Sequence, residues 1–414
     1  MLHIKYIRDN KEKIQEVCRL REVDDNVEEL LQTYEQLTPL KLKIDTLRHK
    51  KNIFTKEINE LKKQQTDVTK KIPILQKLTI EIREFEQEYK HLEQEYTNLL
   101  YTIPNILDES VPLGNEDREE YRGGNFKKFD FQPLTNWELF DKKELADFKR
   151  GIKIAGDRGY VLYDIAVELY DAILRYCRDF FRGKGYREVL LPYFVNEEHL
   201  YITGHYPQGK DEVYKTEDGK VFVGTGEISI LAMYKDILLN KKDLPLKIMA
   251  QTPCFRREAG NHKDDKGLYR THQFDKLELI QIHNQEQAKE EYEEIFEHLK
   301  ELYTQLDLPF RVITLRANDM AFKAVIERDI ELWYEAEQRW GEIGSYGLTN
   351  DFQARRGNIR YEGEGKVEYA YTTYATGCSP HRILIGIMNN NQQKDGKITI
   401  PKVLVPYMRG REEF

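Results

Sequence analysis

Apolar residues in the first hundred positions recur at the spacing of long helices. From Val27 onward they fall three, four or seven positions apart, which is the a/d pattern of a coiled coil. The polar stretch 62–71 separates two such series, so the pattern predicts two long helices folded back as an antiparallel arm. The two series consist of Leu37, Leu40, Ile44, Leu47, Phe54, Ile58 and Leu61, and then Leu75, Leu78, Ile82, Phe85, Tyr89, Leu92, Tyr96, Leu99 and Ile103.

Two prolines fall within these series. A proline removes a backbone donor and bends or ends a helix, so we expect a break near Pro39 and a second helix that begins close to Pro73. The periodicity alone is also typical of a dimerisation or spacer element. Lysines in the outer half of the arm would give its tip a positive field. They are Lys50, Lys51, Lys56, Lys62, Lys63, Lys70 and Lys71.

The composition changes where the helical pattern ends. Residues 1–104 are predicted to form the helical arm, residues 105–131, rich in Gly, Asp, Glu and Pro, a linker, and residues 132–414 a second domain. Within that domain, residues 159–184 predict an amphipathic helix, and the following GYREVLLPYFV predicts a strand. An ordinary core helix followed by a core strand would show the same pattern, so the pattern predicts no function by itself.

A charged hairpin is predicted between Cys254 and Gln281. Two strand-like runs flank a loop rich in Gly, Asn, Lys and Asp. Period-2 alternation places Arg256 and Glu258 on one face of the first run, and an equally polar set on one face of the second. That second set comprises Arg270, His272, Phe274, Lys276 and Glu278. A solvent-facing sheet also collects charge, but this mixture suits a ligand with phosphates, a flat ring and an amine.

Composition narrows the classes of protein that remain. The chain has 414 residues, of which 33% are charged and 40% hydrophobic. No apolar run approaches the roughly 20 residues of a membrane helix, and the N-terminus lacks a signal-peptide core, so we expect a cytoplasmic protein without a membrane partner. The four cysteines lie far apart, without zinc-binding spacing. The net charge of −8 argues against a generally basic nucleic-acid coat, although a local patch of lysines can still contact phosphates.

The hairpin resembles a known family. FRREAG followed by GLYRTHQFDKLELI is similar to motif 2 of the class II aminoacyl-tRNA synthetases, and specifically of the seryl-tRNA synthetases. Further segments resemble the same family in the same order along the chain: LHIKYIRDN, YTIPNILDESVPLGNED, GHYPQGKDEVYKTEDGKVFVGTGEISI, WGEIGSYGLTNDFQARRGNIRY and KITIPKVLVPYM. The resemblance implies an α+β fold, in which an antiparallel sheet flanked by helices carries the N-terminal coiled-coil arm.

The resemblance also assigns roles to individual residues. It implies ATP and Mg²⁺ at one end of a site and serine at the other, with Arg256 and Arg382 catalytic. The implied ATP-binding residues are Arg256, Glu258, Arg270, Phe274, Glu342, Ser345 and Arg382, of which Glu342 and Ser345 would bind the metal. The implied serine-binding residues are Thr225, Arg256, Glu278 and Thr376. A carboxylate and two hydroxyls are a reasonable cage for an ammonium group and a small alcohol.

The chain departs from the family pattern around motif 3. Tyr374-Ala375-Thr376 stands where the family usually has Asn-Gly-Ser, and residues 378–381, CSPH, replace a smaller segment that contains glycine. Gly344 replaces a serine, and Asn389 replaces a motif 3 glutamate. These departures cluster around the amino acid rather than around ATP, so the resemblance predicts adenylate formation more firmly than it predicts serine.

The implied activity is that of a serine–tRNA ligase. The chain would form seryl-adenylate from serine and ATP, transfer serine to the 3′ end of tRNA(Ser), hold the tRNA with its arm, and act as a homodimer in the cytoplasm. One alternative is a paralogue that activates another small amino acid or serves a biosynthetic pathway. Another is a catalytically silent RNA-binding relative, against which the set of ATP-binding residue types argues.

Overall fold

The structure, a computed structural model, describes residues 1–259 and 267–414. Most of the hairpin loop predicted to be rich in Gly, Asn, Lys and Asp lies outside the described residues. The chain divides into two compact units: one is Leu2–Pro104, and the other contains Met1 and Asn105–Phe414. In the described part of the chain, no helix combines the length and the apolar character needed to span a membrane.

The smaller unit is the helical arm. Its helices are α1 (Ile4–Asp9), α2 (Lys11–Leu20), α3 (Val27–Lys63) and α4 (Ile72–Thr102). The predicted apolar seam faces inward along α3, where Leu37, Leu40, Ile44, Leu47 and Ile58 are all buried. Between the two long helices, the Tyr34 and Tyr96 ring centroids are 5.7 Å apart, and Arg48 Nη2 lies 2.7 Å from Glu86 Oε1. The coiled-coil arm predicted from the heptad pattern is therefore confirmed.

The predicted break at Pro39 is wrong, because α3 runs through this residue without interruption. A proline at this position deprives the carbonyl of Glu35 of its helical donor. Both Pro39 and Glu35 are exposed, so water can bind that carbonyl and the helix loses little. The second helix begins at Ile72, and Pro73 lies in its first turn, where the missing N–H is not needed.

The larger unit is built on one eight-stranded sheet with the order β1-β8-β9-β10-β13-β7-β6-β2. All neighbours are antiparallel except β2 and β6. A three-stranded sheet, β12-β11-β5, and a pair, β3-β4, accompany it. The strands are β1 (Arg118–Gly123), β2 (Arg187–Glu188), β3 (Phe194–Asn196), β4 (Lys220–Phe222), β5 (Leu238–Asn240), β6 (Leu246–Phe255), β7 (Gln273–His283), β8 (Phe310–Thr314), β9 (Ile326–Tyr334), β10 (Arg339–Leu348), β11 (Arg360–Gly363), β12 (Lys366–Tyr369) and β13 (Tyr371–Cys378).

Helices cover both faces of the large sheet. Consecutive residues of β7, from Leu277 to His283, are all buried, which requires cover above and below the strand. The helices of this unit are α5 (Asn136–Lys142), α6 (Phe148–Ala155), α7 (Asp164–Gly183), α8 (His199–Thr203), α9 (Gly226–Met233), α10 (Ala288–Gln305), α11 (Phe352–Gly357) and α12 (Pro380–Asn390). Short 3₁₀ turns occur at Lys210–Glu212, Lys241–Asp243, Gly267–Tyr269 and Lys402–Met408.

Three predicted segments differ from the observed elements. Residues 105–131, predicted to be a linker, contain β1, which pairs with β8 at the edge of the large sheet. The strand predicted after α7 is divided into β2 and β3, which belong to different sheets. Arg270 and His272 were expected on the second hairpin strand, but β7 begins only at Gln273. Arg270 instead follows the 3₁₀ turn Gly267–Tyr269.

Candidate active site

A cavity of about 320 Å³ opens among the central strands of the large sheet. Its lining comes from β7, β9, β10 and β13, from the segments after α8 and β6 and before β7 and β9, and from the N-termini of α9 and α12. All ten residues predicted to bind ATP, serine or magnesium line it: Thr225, Arg256, Glu258, Arg270, Phe274, Glu278, Glu342, Ser345, Thr376 and Arg382. The structure thus brings together residues up to 157 positions apart, while the role of each one stays a prediction.

One end of the cavity carries the arginines and the aromatic ring of motif 2. Arg256 directly follows β6, and its Nε donates to the Gly224 carbonyl at 3.1 Å. Its guanidinium lies 5.3 Å from the centroid of the Phe274 ring. Arg270 forms an ion pair with Glu258, whose backbone has a φ of +49°. The two arginines and Phe274 make a surface with planar donors beside a flat apolar face.

Arg382 and Glu342 form the second charged cluster. Arg382 lies in the first turn of α12, and its Nη1 is 3.0 Å from Glu342 Oε1 and 2.9 Å from the Glu342 carbonyl. The Tyr269 ring lies 4.6 Å from the same guanidinium. Burial opposes the ionised form of Glu342, but Arg382 and Arg256 outweigh it and lower the pKa of this carboxyl. Glu342 is therefore a carboxylate at neutral pH.

Another part of the cavity is built around Glu278. Its Oε2 accepts a hydrogen bond from Thr225 Oγ1 at 2.5 Å and lies 2.5 Å from Lys276 Nζ. Thr225 is the N-cap of α9, which fixes its hydroxyl at the helix start. Thr376 is the cross-strand partner of Glu278. This end presents a carboxylate and two hydroxyls, the residue types expected for an amino acid.

Gly344 makes room for Thr376. A Cβ atom at position 344 would lie 2.6 Å from Thr376 Cβ and 2.8 Å from its Cγ2, closer than real side chains approach. Thr376 therefore occupies space that a side chain at position 344 would need.

Several residues that line the cavity carried no assigned role in the sequence analysis. Glu227 follows Thr225 by two positions, so the helix N-cap could have indicated it. Lys323, Glu327, His205 and His381 reach the cavity only through the tertiary fold. Lys323 forms an ion pair with Glu227, and both side chains are buried. No local pattern around Lys323 predicts this contact.

His381 is held neutral beside the cavity. Its Nε2 lies 2.8 Å from the Tyr160 hydroxyl, and its Nδ1 lies 3.3 Å from that of Tyr170, which in turn donates to Asp275 at 2.8 Å. Burial, followed by the positive charge of Arg382, lowers the pKa of His381 to about 3. His381 is therefore uncharged at neutral pH.

The residues predicted to bind magnesium fit a hard cation only in part. Within residues 1–259 and 267–414, no three His, Cys, Asp or Glu side chains are placed to hold a metal by themselves. Glu342 and Ser345 both line the cavity. Mg²⁺ commonly binds one or two protein oxygens and takes the rest of its shell from phosphates and water, so this pair fits a cation that arrives with a nucleotide.

Comparisons with known proteins assign the family. Residues 213–391 match the tRNA synthetase class II core domain (G, H, P, S and T), and residues 1–107 match the seryl-tRNA synthetase N-terminal domain. A serine–tRNA ligase of Thermodesulfovibrio yellowstonii is 36% identical over 418 positions, covering 99% of both chains. The chain belongs to the seryl-tRNA synthetase family. Every residue of the predicted ATP and serine sites lies within the class II core match.

Solved structures of the seryl-tRNA synthetase family share the whole architecture. The Pyrococcus horikoshii seryl-tRNA synthetase complexed with ATP is similar with a TM-score of 0.90 and 30% identity, covering 100% of this chain and 99% of that one. The cytoplasmic serine–tRNA ligase of Naegleria fowleri in complex with AMP gives 0.85 and 25%, covering 100% and 98%. The predicted fold class and the predicted enzyme class are both confirmed.

Proposed function

We propose that this chain is a serine–tRNA ligase that forms seryl-adenylate from serine and ATP and transfers the seryl group to tRNA(Ser). The observation that carries the proposal is the single cavity in which planar arginine donors, a flat aromatic face and a carboxylate-hydroxyl pocket meet. Adenylate formation needs two anions held together and their charge neutralised, and it does not need a protein nucleophile. The residues of this cavity satisfy those needs.

At the nucleotide end, Arg256 would bridge the serine carboxylate and the α-phosphate. Its Nε is fixed by the Gly224 carbonyl, which leaves the outer guanidinium nitrogens to face the cavity. Phe274 would stack on the adenine, and Glu258, oriented by Arg270, would accept from the adenine amino group. Arg382 would contact the γ-phosphate. Each of these assignments rests on donor geometry suited to a planar ring or a phosphate.

Magnesium would neutralise the phosphate oxygens, and Glu342 and Ser345 would hold it. If Ser345 contributes its hydroxyl, Ser345→Ala should weaken ATP binding about tenfold when magnesium is present. Binding measured by calorimetry in excess EDTA should be unchanged. An equal loss in both conditions would contradict the metal assignment and indicate that Ser345 only supports the strand.

At the amino-acid end, Glu278 would bind the serine ammonium group, with Thr225 and Thr376 beside it. Gly344→Ala should therefore disturb serine more than ATP, because the added methyl would collide with Thr376. Misplacing a group that positions the substrate slows the reaction, and we expect a loss of at least about tenfold in kcat/KM for serine. The matched control is Gly114→Ala, where an added Cβ meets nothing within 4 Å. A variant with unchanged serine kinetics would show that Thr376 does not position the substrate.

The arm would bind the tRNA through its outer lysines. Lys71 is paired with Glu57, whereas Lys62, Lys63 and Lys70 are exposed at the end of the arm. Changing these three to glutamate should weaken tRNA binding by at least about tenfold and reduce its salt dependence. ATP–pyrophosphate exchange without tRNA should be unaffected. Glutamate at the exposed Lys394, Lys397 and Lys402 is the control, and equal losses from both sets would argue against a specific role for the arm.

We also propose that the enzyme is a cytoplasmic homodimer that assembles through α7 and the segment after it. Large apolar side chains are exposed there, with Val167 at 48%, Leu190 at 83% and Phe194 at 56%. Apolar side chains that together form a contiguous exposed patch are typical of an interface, and the proposed dimer would bury these three. Sedimentation equilibrium would test the dimer, and a monomer at micromolar concentration would contradict it. Cell fractionation would test the location.

The experiment that tests the proposed function is ATP–pyrophosphate exchange with each of the twenty amino acids, in the absence of tRNA. Serine is expected to drive exchange, followed by charging of tRNA(Ser) in a second assay. Exchange driven by another small amino acid would identify a paralogue with an altered pocket. Exchange with none would identify a catalytically silent relative.

A further inference from the structure

The inner wall of the amino-acid pocket consists of four buried side chains. They are Lys323, Tyr374, Glu227 and Glu327, all of which line the cavity. We propose that Lys323 and Tyr374 determine which amino acid this enzyme accepts: the Tyr374 ring limits the side chain to the size of serine, and the Lys323 ammonium donates a hydrogen bond to its oxygen. This inference rests on the proposed function and names the residues that set its specificity.

Tyr374 is held rigidly in the wall. Its hydroxyl donates to Glu327 Oε1 at 2.6 Å, and Glu327 also accepts from the backbone N–H of Ala321. The ring lies across β10 at Gly347, where an added Cβ would be 2.6 Å from the tyrosine oxygen. The register places Glu327, Gly347 and Tyr374 in one row across three strands. A ring anchored at its tip and packed against backbone cannot swing away from a larger substrate.

The phenol stays protonated in this setting. Burial and then the carboxylate of Glu327 raise the pKa of Tyr374, so its proton remains committed to Glu327. The hydroxyl therefore is not a donor for the substrate, and Tyr374 contributes the bulk of its ring to the cavity lining.

Lys323 supplies the polar part of the wall. Its ammonium bonds to both carboxylate oxygens of Glu227 and lies 3.9 Å from the centroid of the Tyr374 ring. Gln353 also donates to Glu227, at 2.6 Å, so both carboxylate oxygens accept hydrogen bonds from protein donors. An ammonium group has three N–H donors. Two are directed to Glu227, and we assign the third to a substrate side-chain oxygen.

The two parts of the wall exclude different competitors. Threonine carries one methyl group more than serine, and a closed pocket discriminates against such an addition by about 10–200-fold. Alanine lacks the hydroxyl, so binding it leaves the buried ammonium donor without its partner, which disfavours alanine more strongly. Acidic and basic side chains would meet an ion pair whose charges already neutralise each other, so neither kind of side chain would find an opposite charge to pair with.

The test compares kcat/KM for serine, threonine and alanine in ATP–pyrophosphate exchange. Tyr374→Asn removes the ring and should raise the threonine-to-serine ratio at least about tenfold. Tyr374→Phe is the matched control, because it keeps the ring and loses only its bond to Glu327, and it should raise that ratio much less than Tyr374→Asn does. Tyr374→Leu is a second variant that removes the ring but keeps the site apolar, and it should also raise the ratio. It replaces the asparagine variant in the test if that variant does not fold.

The role of Lys323 is tested with a double variant that leaves the net charge unchanged. The double variant Lys323→Met/Glu227→Gln removes both charges and should raise the alanine-to-serine ratio at least about tenfold, with KM for ATP unchanged. Lys247→Met/Glu294→Gln is the control, since it removes a Lys–Glu pair between β6 and α10 whose residues do not line the cavity. Unchanged ratios in folded variants would overturn this inference alone. Failure of the unmodified enzyme to use serine would instead overturn the proposed function.

Discussion

Arg256→Ala is expected to reduce serine-dependent ATP–pyrophosphate exchange by about a thousandfold. The loss of a single preorganised donor to a developing charge costs about 10²–10³ in rate, and Arg256 would contact two anions at once. Its guanidinium is also the group that lies over Phe274, 5.3 Å from the ring centroid. The variant would therefore lose the proposed donor to the reacting groups and also the contact between Arg256 and the Phe274 ring.

The matched control is Arg257→Ala. Arg257 is the next residue along the chain, carries the same charge and is exposed, and it does not line the cavity. It should retain nearly full exchange activity. The circular dichroism spectrum and the affinity for tRNA(Ser) should be unchanged in both variants, because the arm is a separate compact unit. Equal activity of Arg256→Ala and the unmodified enzyme would refute the placement of motif 2 at the nucleotide.

The arm shows what periodicity can predict. A heptad seam depends only on side chains of one helix facing the next one, so its positions follow from the sequence directly. The break predicted at Pro39 does not occur, and the periodicity of apolar residues could not have shown why. The cost of a proline depends on whether the carbonyl four residues earlier can reach water, and this depends on which face of the helix is exposed.

The site residues likewise divide into those that the sequence predicts and those that only the folded structure brings together. Arg256, Phe274 and Glu278 were predicted because a hairpin fixes their relative positions over a short stretch of chain. Lys323 was not predicted, since it lies in a segment between β8 and β9 and meets Glu227, nearly a hundred residues earlier, only in the folded molecule. The place that Gly344 makes for Thr376 is likewise visible only from the cross-strand geometry. Sequence motifs predicted the arginines and the aromatic ring of the cavity as well as Tyr374, and the tertiary structure added Lys323, Glu227 and Glu327 to its lining.

Lys323→Met is expected to lower the free energy of unfolding of the larger unit by about 3–5 kcal/mol. Removing one partner of a buried ion pair leaves the other charge without compensation. Glu227 is 3% exposed and Lys323 8%, so water cannot replace the ammonium. In the unmodified enzyme burial opposes ionisation of Glu227, but Lys323, His205 and Gln353 outweigh it and lower the pKa of this carboxyl. Urea titration followed by tryptophan fluorescence measures the change.

The loss of stability in Lys323→Met should depend on pH in a defined direction. With Lys323 present, the lowered pKa of Glu227 means that its contribution to stability is complete above the unfolded value of about 4.3 and is lost as the pH falls through the folded value. In Lys323→Met, burial without a cation would instead raise the pKa of Glu227. The folded state then binds a proton that the unfolded state releases, so the variant should lose stability as the pH rises above about 4.3. Its deficit should be smaller at pH 5 than at pH 8.

The double variant Lys323→Met/Glu227→Gln separates charge from packing. A neutral amide in place of the carboxylate no longer needs the ammonium, and replacing both members of a buried pair is often close to neutral for stability. We therefore expect the double variant to recover most of the stability lost in Lys323→Met, and its stability to vary little between pH 5 and pH 8 relative to the unmodified enzyme. If the double variant is as unstable as the single one, the lysine stabilises the wall through its contact with the Tyr374 ring rather than through Glu227. Recovery of stability together with increased use of alanine would assign the ion pair to substrate selection and not to the fold.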